Sequence, residues 1–236
     1  MHEFKKLSIV VPIYNERKTI PVLLAAIRKV ELPYEKEVIL IDDGSTDGSG
    51  EVLKALESEY KVILSSRNMG KGSAVRKGFA AATGDMVIIQ DADMEYDPAE
   101  YPIVLRPILE GHADVVYGSR FVTVYPRRIL YFPHYLANKL VTTISNIFSG
   151  LNLSDMETGF KAFTGKALKE ILPCLSAGRF GIEPEITAQV AKHKLRVYEV
   201  GISYHGRTYA EGKKITWKDG LAAIWHIIRF NLFVRK

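Results

Sequence analysis

The chain has one cysteine, Cys174, among its 236 residues. A single cysteine excludes an internal disulfide and any zinc site built from several cysteines. The N-terminus also lacks the order of charged, apolar and small residues that marks a secretory signal peptide. Both absences favour the reducing cytoplasm, and this is where we expect the protein to act.

Long hydrophobic runs are absent as well. A helix needs about 20 consecutive apolar residues to cross a bilayer, and Lys, Arg, His or Asn interrupts every candidate run. We therefore expect no membrane-spanning segment. The chain also lacks the Gly-x-x-x-x-Gly-Lys-Ser/Thr loop, which argues against phosphoryl transfer from ATP.

The charge of the chain is mildly positive, with a formal net value of +5. Lys and Arg gather late in the sequence, at Arg127, Arg128, Arg207, Lys213, Lys214, Arg229, Arg235 and Lys236. Diphosphates or anionic lipid head groups are natural partners for these charges, and a solvated basic surface explains any one of them equally well. No nucleic-acid partner is expected, and nothing in the sequence indicates an oligomeric state.

Short β-branched runs alternate with helical patterns through the first half of the chain. This alternation is typical of a mostly parallel sheet with helices on both faces, a three-layer α/β/α fold. The predicted strands are Leu7–Val11, Glu37–Ile41, Lys61–Ser65, Met86–Gln90 and Asp114–Gly118. After Arg120 the alternation weakens, so we expect residues 1–236 to form one domain.

Helix starts are indicated by capping residues. Thr19, followed by Pro21, is expected to cap the first helix, and Ser45 or Thr46 the second. A third helix is expected to follow the segment Arg67–Gly72, whose glycines permit close backbone approach and whose Lys71 offers a charge to a nucleotide.

Acidic residues follow two of the predicted strands, at the edge where an open α/β sheet binds its ligands. Asp42 and Asp43 end the second strand, and either is a candidate for hydrogen bonding a ribose or base. Asp91 and Asp93 follow the fourth strand with the spacing of side chains that point the same way. Such carboxylates suit Mg²⁺ or Mn²⁺, although a polar loop before a helix capped by Asp97 explains them equally well when they are taken alone.

Four motifs occur together in the order and spacing of family-2 glycosyltransferases. They are Val10–Glu16, Asp42–Asp47, Asn68–Gly72 and Asp91–Asp93. The chain resembles in particular the dolichyl-phosphate mannose and glucose synthases, and the similarity continues through Asp155–Lys161 to the basic tail. The resemblance implies a GT-A fold, which is Rossmann-like.

The resemblance also implies roles for individual residues. Residues 1–120 would form the nucleotide-sugar and metal half, and residues 121–236 the acceptor half. The donor-binding residues would be Pro12, Tyr14, Glu16, Asp42, Asp43, Lys71, Asp91 and Lys213. Asp91, Asp93 and Glu95 would hold Mg²⁺ or Mn²⁺, with Glu95 at a position where the mannose synthases tend to have Gln. Asp93, Arg120, Arg207 and Asp155 would be catalytic.

The expected reaction is an inverting transfer of a hexose to polyprenyl phosphate. An acceptor phosphate is already ionised near neutral pH and needs no strong base. A hydroxyl acceptor, soluble or polysaccharide, would need one, and Asp155 and Glu157 are the candidates. Under the lipid-phosphate reading, Asp155 and Glu157 are instead expected to cap a helix or to anchor the region of Arg120. Glu183 and Glu185 are expected to begin a helix.

The donor and the membrane contact are further expectations from the sequence. The segment Asn68–Arg76 looks more like the glucose synthases than the mannose ones, which favours UDP-glucose over GDP-mannose. Basic residues lie beside apolar ones from Arg127 to Gly150 and again from Leu221 to the C-terminus. Such segments fit a peripheral enzyme on the cytoplasmic face of a membrane, although core packing is at least as good an account of Leu221–Ile228. A sugar-nucleotide-binding module without catalysis is the least favoured alternative.

Overall fold

The computed structural model describes residues 4–122, 128–129, 131–179, 181–207 and 217–234. A seven-stranded sheet with the strand order β3-β2-β1-β4-β6-β5-β7 forms its centre. The strands are β1 (Lys6–Ile13), β2 (Glu35–Asp42), β3 (Lys61–Leu64), β4 (Met86–Ile89), β5 (Val115–Ser119), β6 (Lys161–Thr164) and β7 (Val197–Gly201). All neighbours are parallel except β6, which runs antiparallel to both β4 and β5. The predicted mostly parallel sheet is confirmed.

Eight α-helices are described, and they cover both faces of the sheet. They are α1 (Ile20–Lys29), α2 (Ser49–Lys54), α3 (Lys71–Ala81), α4 (Tyr101–Leu109), α5 (Phe132–Ser149), α6 (Gly165–Ile171), α7 (Ile182–Lys192) and α8 (Trp217–Ile228). Short 3₁₀ turns cover Pro98–Glu100 and Leu172–Cys174, and a π-helical turn covers Arg229–Phe233.

Two hydrophobic cores sandwich the sheet. Helices α1, α2 and α4 pack on one face, and α3 with α5 to α8 on the other. The central strands read as continuous apolar runs because both of their faces are covered; in β4 every residue from Met86 to Ile89 is buried. Strands β6 and β7 from the second half of the chain join the same sheet, so the described residues form the single domain that the sequence predicts.

The first two helix starts differ in detail from the prediction. Thr19 lies at the N-cap of α1, but its hydroxyl donates to Glu16 instead of accepting from a helical N–H. Helix α2 begins at Ser49, and neither Ser45 nor Thr46 caps it. The Ser45 hydroxyl accepts a hydrogen bond from the Asn15 N–H, and Thr46 N–H donates to the Asn15 side chain. These polar residues therefore join two loops at the sheet edge.

Candidate active site

The end of β1 supplies three of the predicted donor-binding residues. Pro12 lies within the strand, Tyr14 follows it and is 37% exposed, and Glu16 begins the turn into α1. The Glu16 carboxylate accepts from the Thr19 hydroxyl at 2.9 Å and pairs with Arg207. A residue far along the chain is thus brought to the end of the first strand.

The two aspartates at the end of β2 are buried and hold backbone groups. Asp42 accepts from the Ser45 N–H at 3.2 Å, and Asp43 accepts from the N–H groups of Met69 and Gly70 at 3.0 and 2.6 Å. Gly44 has φ +71°, and a Cβ there would overlap the backbone of Arg67. Asp43 therefore fastens the loop before α3, while the predicted contact of either aspartate with a donor stays a prediction.

The glycines before and within α3 admit the protein's own chain. A Cβ on Gly70 would lie 2.6 Å from the Gly178 carbonyl oxygen, and one on Gly72 would lie 2.5 Å from that of Ala177. The N–H groups of Gly72 and Ser73 donate to the carbonyls of Arg179 and Gly178. These glycines thus pack against the segment 177–179 of the protein itself, and their expected approach to a nucleotide stays a prediction. Lys71 is the group of this segment that contacts the acidic cluster.

The acidic cluster follows β4. Both carboxylate oxygens of Asp91 lie within 2.9 Å of the Lys71 ammonium, and Asp93 accepts from the Glu95 N–H at 3.1 Å. Burial, with the nearby negative charges of Asp91 and Glu95, raises the pKa of Asp93 to about 7. At Asp93, the negative charges of the neighbouring carboxylates therefore exceed the positive charge that nearby basic groups supply.

Glu95 has a different environment from the two aspartates. One of its carboxylate oxygens accepts from the Tyr204 hydroxyl and the other from the Arg207 N–H, both at 2.8 Å. Its backbone carbonyl accepts from the His205 N–H at 3.1 Å. Glu95 therefore holds the segment 204–207 against the end of β4.

The carboxylates fit a divalent cation as a pair. Within the described ranges, no group of three or more His, Cys, Asp or Glu side chains is arranged to hold a metal. Mg²⁺ in phosphate-binding sites typically takes one or two carboxylates and completes its shell with phosphate oxygens and water. Asp91 and Asp93 match that donor set, whereas the contacts of Glu95 do not favour the third-ligand role predicted for it.

Arg207 ties the end of β1 to the end of β4. Its two terminal nitrogens lie 2.9 and 3.0 Å from the Glu16 carboxylate oxygens, and one of them donates to the Asp93 carbonyl at 2.6 Å. Arg207 thus lies beside the acidic cluster, and the catalytic role that the resemblance implies for it stays a prediction. Lys213, the other predicted donor-binding residue of this basic segment, lies outside the described residues, as do Lys214, Arg127, Arg235 and Lys236.

Arg120 follows β5 and pairs with the fully buried Asp155. The guanidinium contacts both carboxylate oxygens, at 2.6 and 2.7 Å, and the Arg120 N–H also donates to Asp155 at 3.1 Å. Asn138 donates to the same carboxylate at 3.3 Å. Of the two roles weighed for Asp155, the structure shows the anchoring contact with Arg120.

A cavity of about 320 Å³ opens beside Arg120. It is lined by Arg120, Phe121, Arg128, Ile129, Phe132, Tyr135 and Tyr204. The Arg120 guanidinium lies 5.3 Å from the centre of the Tyr204 ring, and Tyr204 in turn bonds Glu95. The cavity therefore combines two guanidinium groups with an apolar wall, and Tyr204 connects it to Glu95.

One face of α5 extends this apolar wall to the surface. We call it the exposed α5 face, and it consists of Phe132, Leu136, Leu140 and Ile147, each more than half exposed. Leu221 and Trp225 of α8 are also exposed, whereas Ala223 and Ile227 on its other side are buried. The core packing considered for α8 thus holds for one side only. Across the described ranges, no helix has the length and apolar character needed to span a bilayer.

A buried ionic group behind Asp91 was not predicted from the sequence. Glu183 in the first turn of α7 pairs with Lys71 at 3.2 Å and with the fully buried Lys161 at 2.5 Å. Glu157 lies nearby, and its buried Oε1 has no hydrogen-bond partner among the residues that the structure describes. Burial and the charge of Glu183 raise the pKa of Glu157 to about 7. Glu183 and Glu185 do begin a helix, as expected, but Glu183 also completes this ionic group.

Sequence and structure comparisons identify related proteins. The model of glycosyl transferase family 2 matches residues 8–172. The undecaprenyl-phosphate 4-deoxy-4-formamido-L-arabinose transferase of Aeromonas hydrophila is 32% identical over 217 residues, which cover 89% of this chain and 63% of that protein. The protein with the same name in Yersinia enterocolitica is 31% identical over 219 residues, with the same coverage of 89% and 63%. The chain therefore spans less than two thirds of the length of these curated relatives.

Solved structures show the same fold. Glucosyl-3-phosphoglycerate synthase from Mycobacterium tuberculosis, in a crystal structure with Mn²⁺, UDP and phosphoglyceric acid, superposes with a TM-score of 0.72 at 19% identity. The match covers 98% of this chain and 80% of that one. A second structure of that enzyme, with UDP, Mn²⁺ and glucosyl-3-phosphoglycerate, gives a TM-score of 0.71 at 20% identity. These likenesses confirm the expected GT-A-like arrangement of sheet and helices.

Proposed function

The chain belongs to glycosyl transferase family 2, and from this premise we propose that it transfers a hexose from a nucleotide sugar to a polyprenyl phosphate. One observation carries the proposal. The acidic pair Asp91 and Asp93 is followed by Glu95, whose carboxylate accepts from Tyr204, and Tyr204 lines a cavity that combines Arg120 and Arg128 with an apolar wall. A diphosphate donor suits the first region, and a lipid phosphate suits the second.

Donor binding in this proposal uses the ends of β1, β2 and β4. Pro12, Tyr14, Glu16 and Asp42 line the nucleoside side, and Lys71 and Arg207 supply positive charge to the diphosphate. Asp91 and Asp93 hold Mg²⁺ or Mn²⁺, which when bound stabilises the negative charge of the departing diphosphate. The Mn²⁺ and UDP in the structures of the mycobacterial enzyme support this assignment by analogy of fold.

The acceptor is bound on the Arg120 side. Arg120 holds the phosphate of the lipid, and Asp155 positions that guanidinium through two short contacts. An oxygen of the acceptor phosphate attacks the anomeric carbon while the bond from that carbon to the donor diphosphate breaks. The product is a β-linked sugar when the donor is α-linked, and no general base is required because the attacking oxygen is already ionised.

The donor sugar is the least constrained part of the proposal. We favour UDP-glucose on the motif Asn68–Arg76, with GDP-mannose as the alternative. The relatives from Aeromonas hydrophila and Yersinia enterocolitica are named for 4-deoxy-4-formamido-L-arabinose and undecaprenyl phosphate, so their sugar, a pentose instead of a hexose, is a third candidate. Their acceptor supports the lipid-phosphate half of the proposal.

Contact with a membrane follows from the acceptor. The exposed α5 face lies beside the cavity, and a polyprenyl chain is dissolved in a bilayer. We place the protein peripherally on the cytoplasmic surface, with the exposed α5 face and Trp225 in the interfacial layer. Arg229, at the end of α8, is available to anionic head groups.

A hydroxyl acceptor is the second candidate, and Glu157 is the observation that favours it. Its buried Oε1 has no hydrogen-bond partner, and its pKa of about 7 suits a general base. Asp155 is committed to Arg120 and is the weaker candidate for that role. Transfer that continues with Glu157→Gln would favour the phosphate acceptor, whereas a large loss of rate with unchanged donor binding would favour the hydroxyl acceptor.

The donor is tested by a panel of radiolabelled nucleotide sugars. Purified protein with Mn²⁺ would receive UDP-glucose, GDP-mannose or a nucleotide-linked 4-deoxy-4-formamido-L-arabinose, each with and without a short polyprenyl phosphate. Label that moves into an organic extract only with the lipid identifies the donor and supports the proposal. Hydrolysis of a donor without formation of a lipid product would indicate that the acceptor is a hydroxyl compound and not a lipid phosphate.

A further inference from the structure

The ammonium group of Lys71 lies between two carboxylates from different parts of the chain. It is 2.8 Å from Asp91 Oδ1 and 2.9 Å from Asp91 Oδ2, after β4. It is also 3.2 Å from Glu183 Oε1, in the first turn of α7. Lys71 can therefore remain paired with Glu183 if Asp91 binds another cation.

The backbone around Lys71 fixes this position. Helix α3 begins at Lys71, and the glycines on either side of this lysine pack directly against the segment 177–179. Gly159 lies over the pair, and a Cβ there would overlap Asp91 Oδ2 and crowd the Lys71 ammonium at 2.8 Å. The ion pair thus occupies a space that two separate loops leave open for it.

Glu183 is fixed independently of Lys71. Its second carboxylate oxygen lies 2.5 Å from the ammonium of Lys161, whose side chain is fully buried at the start of β6. Burial disfavours the charged form of Glu183, but Lys161 and Lys71 outweigh this effect and lower its pKa. Glu183 is therefore an anion that stays in place when Asp91 changes its partner.

Asp91 is the carboxylate for which two cations compete. Both of its oxygens contact Lys71, while the proposed function assigns the same oxygens to a divalent metal. We infer that Lys71 is the counter-ion of Asp91 in the metal-free protein and that Glu183 retains the ammonium when a divalent cation binds Asp91. The inference rests on the proposed metal site and makes Glu183 a positioning residue that acts through Lys71.

This exchange has a consequence for the donor. A lysine that moves from Asp91 toward Glu183 remains at the start of α3, beside the acidic pair, where the diphosphate is proposed to bind. The protein thus keeps Asp91 paired with a cation before the metal arrives and keeps a positive charge beside the donor afterwards. Neither Lys71 nor Glu183 needs to leave its helix for the change of partner.

The test is a titration of the protein with Mn²⁺, without any donor, in which free Mn²⁺ is measured by electron paramagnetic resonance. Lys71→Met should tighten Mn²⁺ binding about tenfold, because a close and partly buried charge pair no longer competes. Glu183→Gln should weaken it severalfold, because Lys71 then has only Asp91. In the double variant the Glu183→Gln change should have no further effect, because its influence passes through Lys71.

Two control variants separate this exchange from general electrostatics. Lys77→Met removes a lysine of the same helix whose ammonium contacts Ser65 at 2.7 Å, and it should leave the affinity unchanged. Lys71→Arg keeps the cation and should not tighten binding. If Glu183→Gln does not fold because Lys161 loses its partner, the Mn²⁺ affinities of Lys71→Met and Lys71→Arg still test whether Lys71 is the counter-ion of Asp91.

The possible failures are distinguishable. If the wild-type protein binds Mn²⁺ no better than Asp93→Ala, the proposed metal site itself is wrong. If the wild type binds Mn²⁺ but Lys71→Met binds it equally well, the counter-ion role is overturned and the metal site stands. An effect of Glu183→Gln that is equally large with and without Lys71 would show that Glu183 acts on the metal directly and would also overturn the inference.

Discussion

The two parts of the molecule that we propose to bind the donor and the acceptor differ in their surface chemistry. At the ends of β1, β2 and β4, charged side chains are partly or fully buried and every one of Glu16, Asp91 and Glu95 has a basic or hydrogen-bonding partner. On the exposed α5 face, large apolar side chains are more than half exposed. The first region is organised for a charged, water-soluble ligand, and the second has the surface expected of a protein that meets lipid.

Arg120 and Tyr204 join the two regions. Tyr204 contacts Glu95 on the donor side and the Arg120 guanidinium on the acceptor side. The contrast between the regions can be tested by changing residues on each side and at the junction. The expected effects are largest at the acidic pair and smallest on the exposed α5 face.

The largest effect is expected at the acidic pair. Asp93→Ala should lower kcat for sugar transfer about a thousandfold, equivalent to about 4 kcal/mol, because the departing diphosphate loses its metal-bound stabilisation. The rate is measured with saturating donor and Mn²⁺, and circular dichroism checks the fold. An unchanged rate would rule out the metal mechanism.

At the junction, Asp155→Asn should lower the free energy of unfolding by about 3 kcal/mol, because the guanidinium of Arg120 is left in a largely buried site without its anion. Urea denaturation measures this change. The matched control is Asp114→Asn, since Asp114 forms a similar pair with the exposed Arg196 and should cost less than about 1 kcal/mol. Equal losses in the two variants would contradict the buried anchoring role of Asp155.

Glu157 gives a pH-dependent effect. Its pKa of about 7 lies above the ordinary value of 4.5, so its contribution to stability is fully present below pH 4.5 and is lost as the pH rises through 7. Glu157→Gln should therefore be more stable than the wild type at pH 8, by about 1–2 kcal/mol, and should lose this advantage at pH 5.

Thermal unfolding at the two pH values measures the Glu157 effect, which should raise Tm at pH 8 by about 2–8 °C. Glu170→Gln, a change at an exposed position of α6, is the control and should shift Tm at neither pH. A gain for Glu157→Gln that is the same at pH 5 and pH 8 would show that its charge is not the cause.

The smallest effects are expected on the acceptor side. Leu136→Ser and Leu140→Ser should each weaken binding to anionic liposomes by less than about 2 kcal/mol, because each removes one exposed side chain from the interface. Flotation measures the bound fraction, and Val22→Ser on α1, also exposed, is the control. A protein that stays wholly soluble with every liposome would contradict the membrane contact.

The same contrast explains what could be predicted from the sequence. Strands β1 to β5 lie within two residues of the predicted bounds, because buried parallel strands read as apolar runs between turn residues. The ends of β1, β2 and β4, which carry Glu16, Asp42 and Asp91, share one edge of the sheet, as expected for an open α/β sheet. The contacts of Lys71 and Arg207 with the acidic cluster were not predicted. Strands β6 and β7 were not predicted either, and β6 has only four residues and begins with a buried lysine.

Because strand β6 was not predicted, the buried residues near it were not predicted as part of the site either. Inserting β6 antiparallel between β4 and β5 is what brings Lys161, Glu157 and Gly159 behind Asp91. Their sequence segment resembles an ordinary polar loop, and Glu183 resembles an ordinary first-turn acid. Their partners are set by long-range topology, for which local sequence patterns carry no signal.

The central claim is that the phosphate of a lipid is the acceptor. The most direct measurement compares transfer of radiolabelled sugar to a polyprenyl phosphate with transfer to the polyprenol of the same length, under identical conditions with Mn²⁺. We predict lipid-soluble product with the phosphate and none with the alcohol, since the proposed contact with Arg120 needs the phosphate and an un-ionised hydroxyl would depend on a general base. Equal transfer to both lipids, or to neither while a soluble hydroxyl acceptor is glycosylated, would contradict the account.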